Sequence, residues 1–305
     1  MSPSHPQPFV VRLRAALALL VAVVCPLLGH AAQGSTPLIY EVRSETNTVY
    51  LFGTIHVGTR SMYPLGSKVE EAFANSRILA LEADPTDQSA ITSAIVQAMY
   101  RPPDSISSHI PPDLLDQLKA VLPQVGLPYE YARGMKPYLL AMTLTVMEIQ
   151  RLGYDPNMGI DAHLAQLAKK DGKRIVELES MQGQMQLFEV MSEALQTAML
   201  RATVEDIAKG EVAIEMDDLQ KAWMAGDAEA IQENVLRETL GMPEDLGKDL
   251  YERIYDQRNR QMADKITLML AGGESCFVAV GAGHLTGPGG LAELLKGKGF
   301  TVHRL

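Results

Sequence analysis

The sequence predicts an α/β fold: a mixed β-sheet core carrying a large helical insertion. Three observations predict it. Short β-rich runs sit towards the two ends of the chain, at Leu38–Arg43, Thr48–Ile55, Arg77–Leu81, Cys276–Val280 and Phe300–Arg304, and one more, Lys173–Leu178, interrupts the middle. Long proline-free stretches with apolar residues at helical spacing fill the middle. Two of the apolar runs end alike: Gly53-Thr54-Ile55-His56 follows Val49–Phe52, and Gly281-Ala282-Gly283-His284 follows Cys276–Val280. A glycine where a strand breaks lets the chain turn tightly or lets another group approach closely.

The elements follow in order. Residues 1–32 read as a secretory signal peptide: Arg12 and Arg14 are the basic start, Ala15–Leu28 is almost wholly apolar, and Gly29, Ala31 and Ala32 are small. The apolar core is shorter than the about 20 residues that span a bilayer. Cleavage after Ala31 or Ala32 would leave a periplasmic or secreted protein with no stable membrane insertion. Cys25 raises the alternative of a lipid anchor, against which stands the lack of the usual small residues just before the cysteine in Ala22-Val23-Val24-Cys25-Pro26. Residues 33–305 read as a single domain, with no linker, repeat or low-complexity tract. Leu38–Arg43 and Thr48–Ile55 flank the polar Ser44–Asn47 as a β-hairpin. A helix at Lys68–Asn75, a strand at Arg77–Leu81 and a helix at Asp87–Tyr100 come next, and prolines 102, 103, 111 and 112 then punctuate the chain. Helices are expected at Tyr138–Arg151, Gly159–Lys170, Gln182–Lys209, Met216–Ala225, Ala228–Leu240 and Glu244–Leu270, with the strand Lys173–Leu178 between the second and third. Strand Cys276–Val280, a helix near Leu291–Lys296 and strand Phe300–Arg304 close the chain.

Charge and cysteine usage exclude several roles. Without Arg12 and Arg14, 25 Lys+Arg face 37 Asp+Glu, a net charge of −12. Such a chain is a poor partner for nucleic acid, which needs clustered positive charge, and for anionic lipid. Cys276 is the only cysteine after the signal segment, so no internal disulfide forms. Its apolar neighbours mark it as a small core residue.

Four of the strands end in a chemically useful side chain. The run to Phe52-Gly53 leads to His56, Leu79-Ala80-Leu81 to Glu82, Val176-Glu177-Leu178 to Glu179, and Ala279-Val280-Gly281 to His284. Ligands of open α/β sheets bind at the carboxyl ends of the strands. Two histidines and a carboxylate are a donor set for a divalent metal that leaves positions open to water. A second carboxylate suits a general base or a group that orients a ligand. Each residue also has a plain structural reading. A histidine after a strand is commonly a loop or capping residue, Glu82 a neighbour of a capping Asp84, and Glu179 a solvated residue at a helix start. Asp161, after Asn157-Met158-Gly159-Ile160, reads as first-turn acidic charge at a helix N-terminus. Arg258 reads either as a surface ion pair or as a site cation that binds a carboxylate or an oxyanion. His109, His163 and His303 have no partner pattern and read as structural. The 16 methionines suggest packing rather than copper.

The order of these motifs resembles the TraB/PrgY/GumN family. The matching stretches are Tyr50–His56, Leu79–Glu82, Asn157–Asp161, Ile175–Glu179, Arg258–Met262 and Val280–His284. The resemblance implies kinship with the Tiki metalloproteases and, more distantly, with erythromycin esterase-like hydrolases and ChaN-like haem-binding proteins. Carried over, it implies central roles for His56 and His284, a carboxylate role for Glu82, and site positions for Arg258 and Glu179. The expectation is a metal-dependent hydrolase acting on a peptide or protein. His56, His284 and Glu82 would hold Mn²⁺ or Co²⁺, with Zn²⁺ as a further option, and Glu82, Arg258 and Glu179 would be catalytic. The alternatives are a protein that sequesters a peptide signal or haem, and a metal-free esterase-like hydrolase using histidine as base.

Overall fold

The computed structural model describes residues 36–305 apart from 86, 238, 240 and 241. The expected signal segment and Cys25 lie outside the described residues. The six anticipated strands all form: β1 (Ile39–Arg43), β2 (Thr48–Thr54), β3 (Ile78–Leu81), β4 (Arg174–Glu177), β5 (Cys276–Gly281) and β6 (Thr301–Arg304). They make one sheet in the order β4-β3-β5-β2-β1-β6. Strands β4, β3, β5 and β2 run parallel, whereas β1 pairs antiparallel with both β2 and β6. The sheet is therefore mixed, as the sequence predicts. Among the described residues no helix is long and apolar enough to cross a membrane.

Local chemistry explains the hairpin. Ser44 Oγ accepts from the Asn47 N–H at 2.9 Å, closing the turn. The Asn47 amide donates to the carbonyls of Met269 and Glu274, which ties the turn to the far end of the chain. Strands β3 and β5 are buried along nearly their whole length and so read as continuous apolar runs, the pattern of parallel strands covered on both faces. Phe277 of β5 packs against Phe52 and Phe73, with ring centroids 5.6 and 5.5 Å apart. Trp223 is buried edge-on to Phe52, and its indole N–H donates to the Gly53 carbonyl at 2.7 Å.

The helices depart from expectation at several places, among them the three that follow. The stretch 182–209 forms two helices, Met181–Glu189 and Glu193–Lys209, because Ser192 restarts the chain by accepting from the Leu195 N–H at 3.2 Å. The stretch 244–270 holds a π-helical turn at Glu252–Asp256, between Glu244–Tyr251 and Gln257–Ala271. The segment after the prolines forms an unanticipated helix, Pro112–Val125. Proline is at home in a first helical turn, and Gly126, at φ 73°, ends the helix. This helix packs with Pro137–Arg151 and Glu193–Lys209 around a second apolar cluster, separate from the one on the sheet.

Candidate functional site

Because β2, β5, β3 and β4 are parallel neighbours, the residues that follow them reach one edge of the sheet. Register completes the alignment: Thr54 pairs with Gly281, Leu81 with Ala279, and Leu81 with Glu177. The two Gly-x-x-His segments also pack on each other. A side chain on Gly53 would meet the Ala282 Cα at 3.1 Å, so that glycine lets the second motif close over the first.

His56 is fixed from behind. Its Nδ1 lies 2.9 Å from Asp161 Oδ2, and Asp161 Oδ1 accepts from the Thr54 hydroxyl at 2.7 Å. Asp161 is buried, whereas the His56 side chain is 66 % exposed. A strap between two loops makes the contact: Gly58 and Asp155 exchange backbone hydrogen bonds, and the Ile160 N–H donates to the Ile55 carbonyl at 2.9 Å. Gly159 is required there, since a Cβ on it would fall 2.3 Å from the His56 carbonyl oxygen. The reading of Asp161 as plain helix-start charge is thereby corrected. It stands in the first turn, but its carboxylate is spent on His56 and Thr54.

His284 is fixed by a different partner. It is buried in the short 3₁₀ turn Ala282–Leu285, with Nδ1 2.6 Å from Asn259 Oδ1. Asn259 is oriented in turn by donating from Nδ2 to the Gly289 carbonyl at 2.9 Å. That assignment makes Nδ1 of His284 the protonated nitrogen and leaves a lone pair on Nε2, which lies 3.7 Å from Glu82 Oε1. The Tyr255 ring, carried by the π-helical turn, packs 5.3 Å from the imidazole.

Glu82 is the hub. Its Oε1 accepts from the Gly281 N–H at 2.6 Å, and its Oε2 from Arg258 at 2.5 Å and Gln184 at 3.2 Å. Glu179 lies one layer further back. It receives Nε and Nη2 of Arg258 at 2.9 and 2.7 Å, and the Gln184 amide at 2.9 Å. The third arginine nitrogen, Nη1, donates to the Ile254 carbonyl. All three nitrogens of Arg258 therefore donate within the protein, and the arginine binds the two carboxylates of the site, one of the readings the sequence left open.

These neighbours push the protonation states apart. The Asp161 charge raises the His56 pKa to about 9, although water at the exposed ring screens the pair. Burial lowers the His284 pKa to about 4. Burial alone would raise the Glu82 carboxyl. The positive charges of His284 when protonated, Arg258 and His56, with the Gly281 N–H, outweigh it and hold the carboxyl well below the usual range. Near neutral pH the edge then presents an imidazolium, a neutral imidazole and a carboxylate.

Gly281 leaves the space between them open. A Cβ there would lie 3.3 Å from Glu82 Oε1 and 3.6 Å from both His284 Cδ2 and His56 Nε2. The two rings thus face one small volume. For a divalent metal the donors fit in kind, because each imidazole has its Nδ1 committed and its Nε2 turned inwards, the usual support of a metal-bound histidine. They fall short in number: among the described residues no group of three or more His, Cys, Asp or Glu is arranged to hold a metal ion. His163 packs on the Tyr63 ring, and His109 pairs with Asp104.

Sequence reasoning placed His56, Glu82, Glu179, Arg258 and His284 here, and the fold brings all five together. It missed Asp161, Asn259, Gln184 and Tyr255 as members. Comparison with known proteins gives the chain a lineage. The chain is 27% identical to "Uncharacterized protein YbaP" of Escherichia coli over 248 residues, covering 81% of this chain and 87% of that protein. It is 25% identical to "Metalloprotease TIKI1" of Xenopus tropicalis over 303 residues and 24% identical to the human protein of that name over 304. Each alignment covers 83% of this chain, which spans only 58% and 59% of those longer proteins. No solved structure matches it. The TraB/PrgY/gumN pattern is met across residues 38–304, nearly everything after the first 37 residues, and the chain belongs to the TraB/PrgY/gumN family.

Proposed function

We propose that the chain is a hydrolase of peptide bonds, acting in the periplasm or outside the cell. One observation carries the reading: two imidazoles with committed Nδ1 atoms turn their Nε2 sides towards a shared space above Gly281, beside a buried carboxylate. A water there gives a proton to the Nε2 lone pair of His284 as its oxygen bonds to the scissile carbonyl carbon. Glu82, 3.7 Å from that nitrogen, steadies the imidazolium that forms. Protonated His56, standing at the solvent side, gives its Nε2 proton to the leaving nitrogen as the C–N bond breaks. Arg258 and Glu179 hold Glu82 in place and act through it. A divalent ion, Mn²⁺, Co²⁺ or Zn²⁺, would be held only if His56, His284 and Glu82 drew closer than they stand here, and would then supply a more acidic water. The similarity to proteins named metalloproteases favours hydrolysis over passive binding.

The test uses protein purified without a histidine tag. Elemental analysis and a visible spectrum come first, then cleavage of an internally quenched, mixed-sequence peptide library with and without each metal. The expected result is cleavage by the wild type that falls at least about a hundredfold in His56→Ala, His284→Ala and Glu82→Gln. Undiminished cleavage by all three variants would refute the site. A wild type that cleaves nothing under any metal, and shows a Soret band, would replace hydrolysis with haem binding.

A further inference from the structure

Glu82 and Glu179 lie side by side, with side chains only 7 % and 12 % exposed, and share one guanidinium, that of Arg258. Two carboxylates against one cation leave a buried negative charge in excess, which needs further donors. Their common neutral donor is Gln184. Its Nε2 reaches Glu179 Oε2 at 2.9 Å and Glu82 Oε2 at 3.2 Å, so one amide group spans both acids.

Gln184 comes from an unusual support. The helix Met181–Glu189 has no buried residue. Ser180 caps its start by accepting from the Gly183 N–H at 3.0 Å. Its last residue, Glu189, is held by the Tyr138 hydroxyl at 2.7 Å and by Lys136. Phe188 stacks on Tyr138. The helix is thus capped locally at its start and pinned at its end to the helical part of the molecule, and Gln184 in its middle is what it contributes to the sheet edge.

We infer that Gln184 is a positioning residue for the hydrolytic site: it bridges Glu82 to Glu179 and so holds the Glu82 carboxylate against the Gly281 N–H and His284. The inference rests on the hydrolase reading for its effect on rate, but not for its geometry. A neutral amide suits the task. It offers two N–H groups to two carboxylates and adds no charge of its own, leaving Glu82 ionised and free to steady His284.

Two variants test it, with crystal structures and kinetics on the same quenched-peptide library. Gln184→Met keeps length and removes the donor. Gln184→Glu keeps shape and sets a third carboxylate against the pair. In Gln184→Met the carboxylates of Glu82 and Glu179 are expected to move apart relative to the wild-type crystal structure. The kcat is expected to fall about tenfold or more, with KM within about twofold and the melting temperature nearly unchanged, and Gln184→Glu is expected to fall further. Carboxylates that superpose on the wild type in Gln184→Met overturn the inference whatever the rate does, as does an unchanged kcat with displaced carboxylates. If the wild type cleaves no peptide while Glu82 and Glu179 part in Gln184→Met, the hydrolase reading fails and the positioning role stands.

Discussion

Replacing Gly281 by alanine separates function from folding more cleanly than removing a histidine does. The backbone there sits at φ −49° and ψ 135°, which an L-residue adopts without strain. The added methyl would meet His284 Cδ2 and His56 Nε2 at 3.6 Å, ordinary contact, and Glu82 Oε1 at 3.3 Å, tight by a few tenths of an ångström. A Gly→Ala change at a compatible position stabilises by about 0.4–1 kcal/mol through the unfolded chain. The tight contact offsets part of that gain, so net stability stays within about 1 kcal/mol and the melting temperature within about 3 °C. The space between the rings is another matter. A methyl 3.6 Å from His56 Nε2 takes up space between the two rings that a water or ligand atom hydrogen-bonded to that nitrogen at about 3 Å would use. A displacement of about 1 Å at a reacting centre costs on the order of a hundredfold in rate. Thermal melts and peptide-cleavage kinetics on Gly281→Ala should therefore show a stable, nearly inactive protein. Full activity with an unchanged melting temperature would place the chemistry elsewhere, and a collapse of stability would refute the claim that the cradle is open.

Three further outcomes follow from the same geometry. Gly159→Ala puts a Cβ 2.3 Å from the His56 carbonyl oxygen, so the strap must shift; a loss of about 1–3 kcal/mol is expected by chemical denaturation, and wild-type stability would refute it. His56→Ala and His284→Ala should differ: His56 is largely exposed, so losing its screened pair with Asp161 costs no more than about 1 kcal/mol, whereas losing buried His284 strands the Asn259 amide oxygen at a cost of about 1–3 kcal/mol, and a lower melting temperature for His56→Ala than for His284→Ala would contradict this. Asp161 raises the His56 pKa to about 9 from about 6.5 in the unfolded chain, so the stability from this pair is complete below about pH 6.5 and is lost as pH rises through about 9; solvent exposure of the ring limits it to about 1 kcal/mol, and Asp161→Asn should flatten that part of the stability profile, an unaltered profile counting against the pairing.

The strands and the residues at their ends were legible because they carry local signals. An apolar run that stops at a glycine and presents a histidine is visible in six or seven letters, and parallel neighbours need no further instruction to align their carboxyl ends. Asp161 was not legible for a physical reason: an acid in a first helical turn looks the same whether it faces solvent or a histidine. The discriminating signal was the glycine two positions before it, which admits the His56 carbonyl. Asn259 was hidden between Arg258 and Arg260, and only the facing of the helix, fixed by packing, turns it to His284 while Arg258 meets the carboxylates. Gln184 is one of three alternating glutamines, 182, 184 and 186, and nothing local says which one points inwards. The π-helical turn that carries Tyr255 to His284 left no trace in the apolar spacing of 244–270.

The adjacency of β2 and β5 has a consequence for how the protein comes into being. The two strands are neighbours in the sheet but lie nearly the length of the chain apart in sequence. Bringing such distant segments together requires closing a very long loop before any contact rewards it, so this pairing is expected late in folding. Until then the growing chain holds His56 without His284, and Glu82 lacks both the Gly281 N–H and Arg258. A nascent chain thus carries an incomplete cluster, and the full set of neighbours around Glu82 exists only once the last strands have docked.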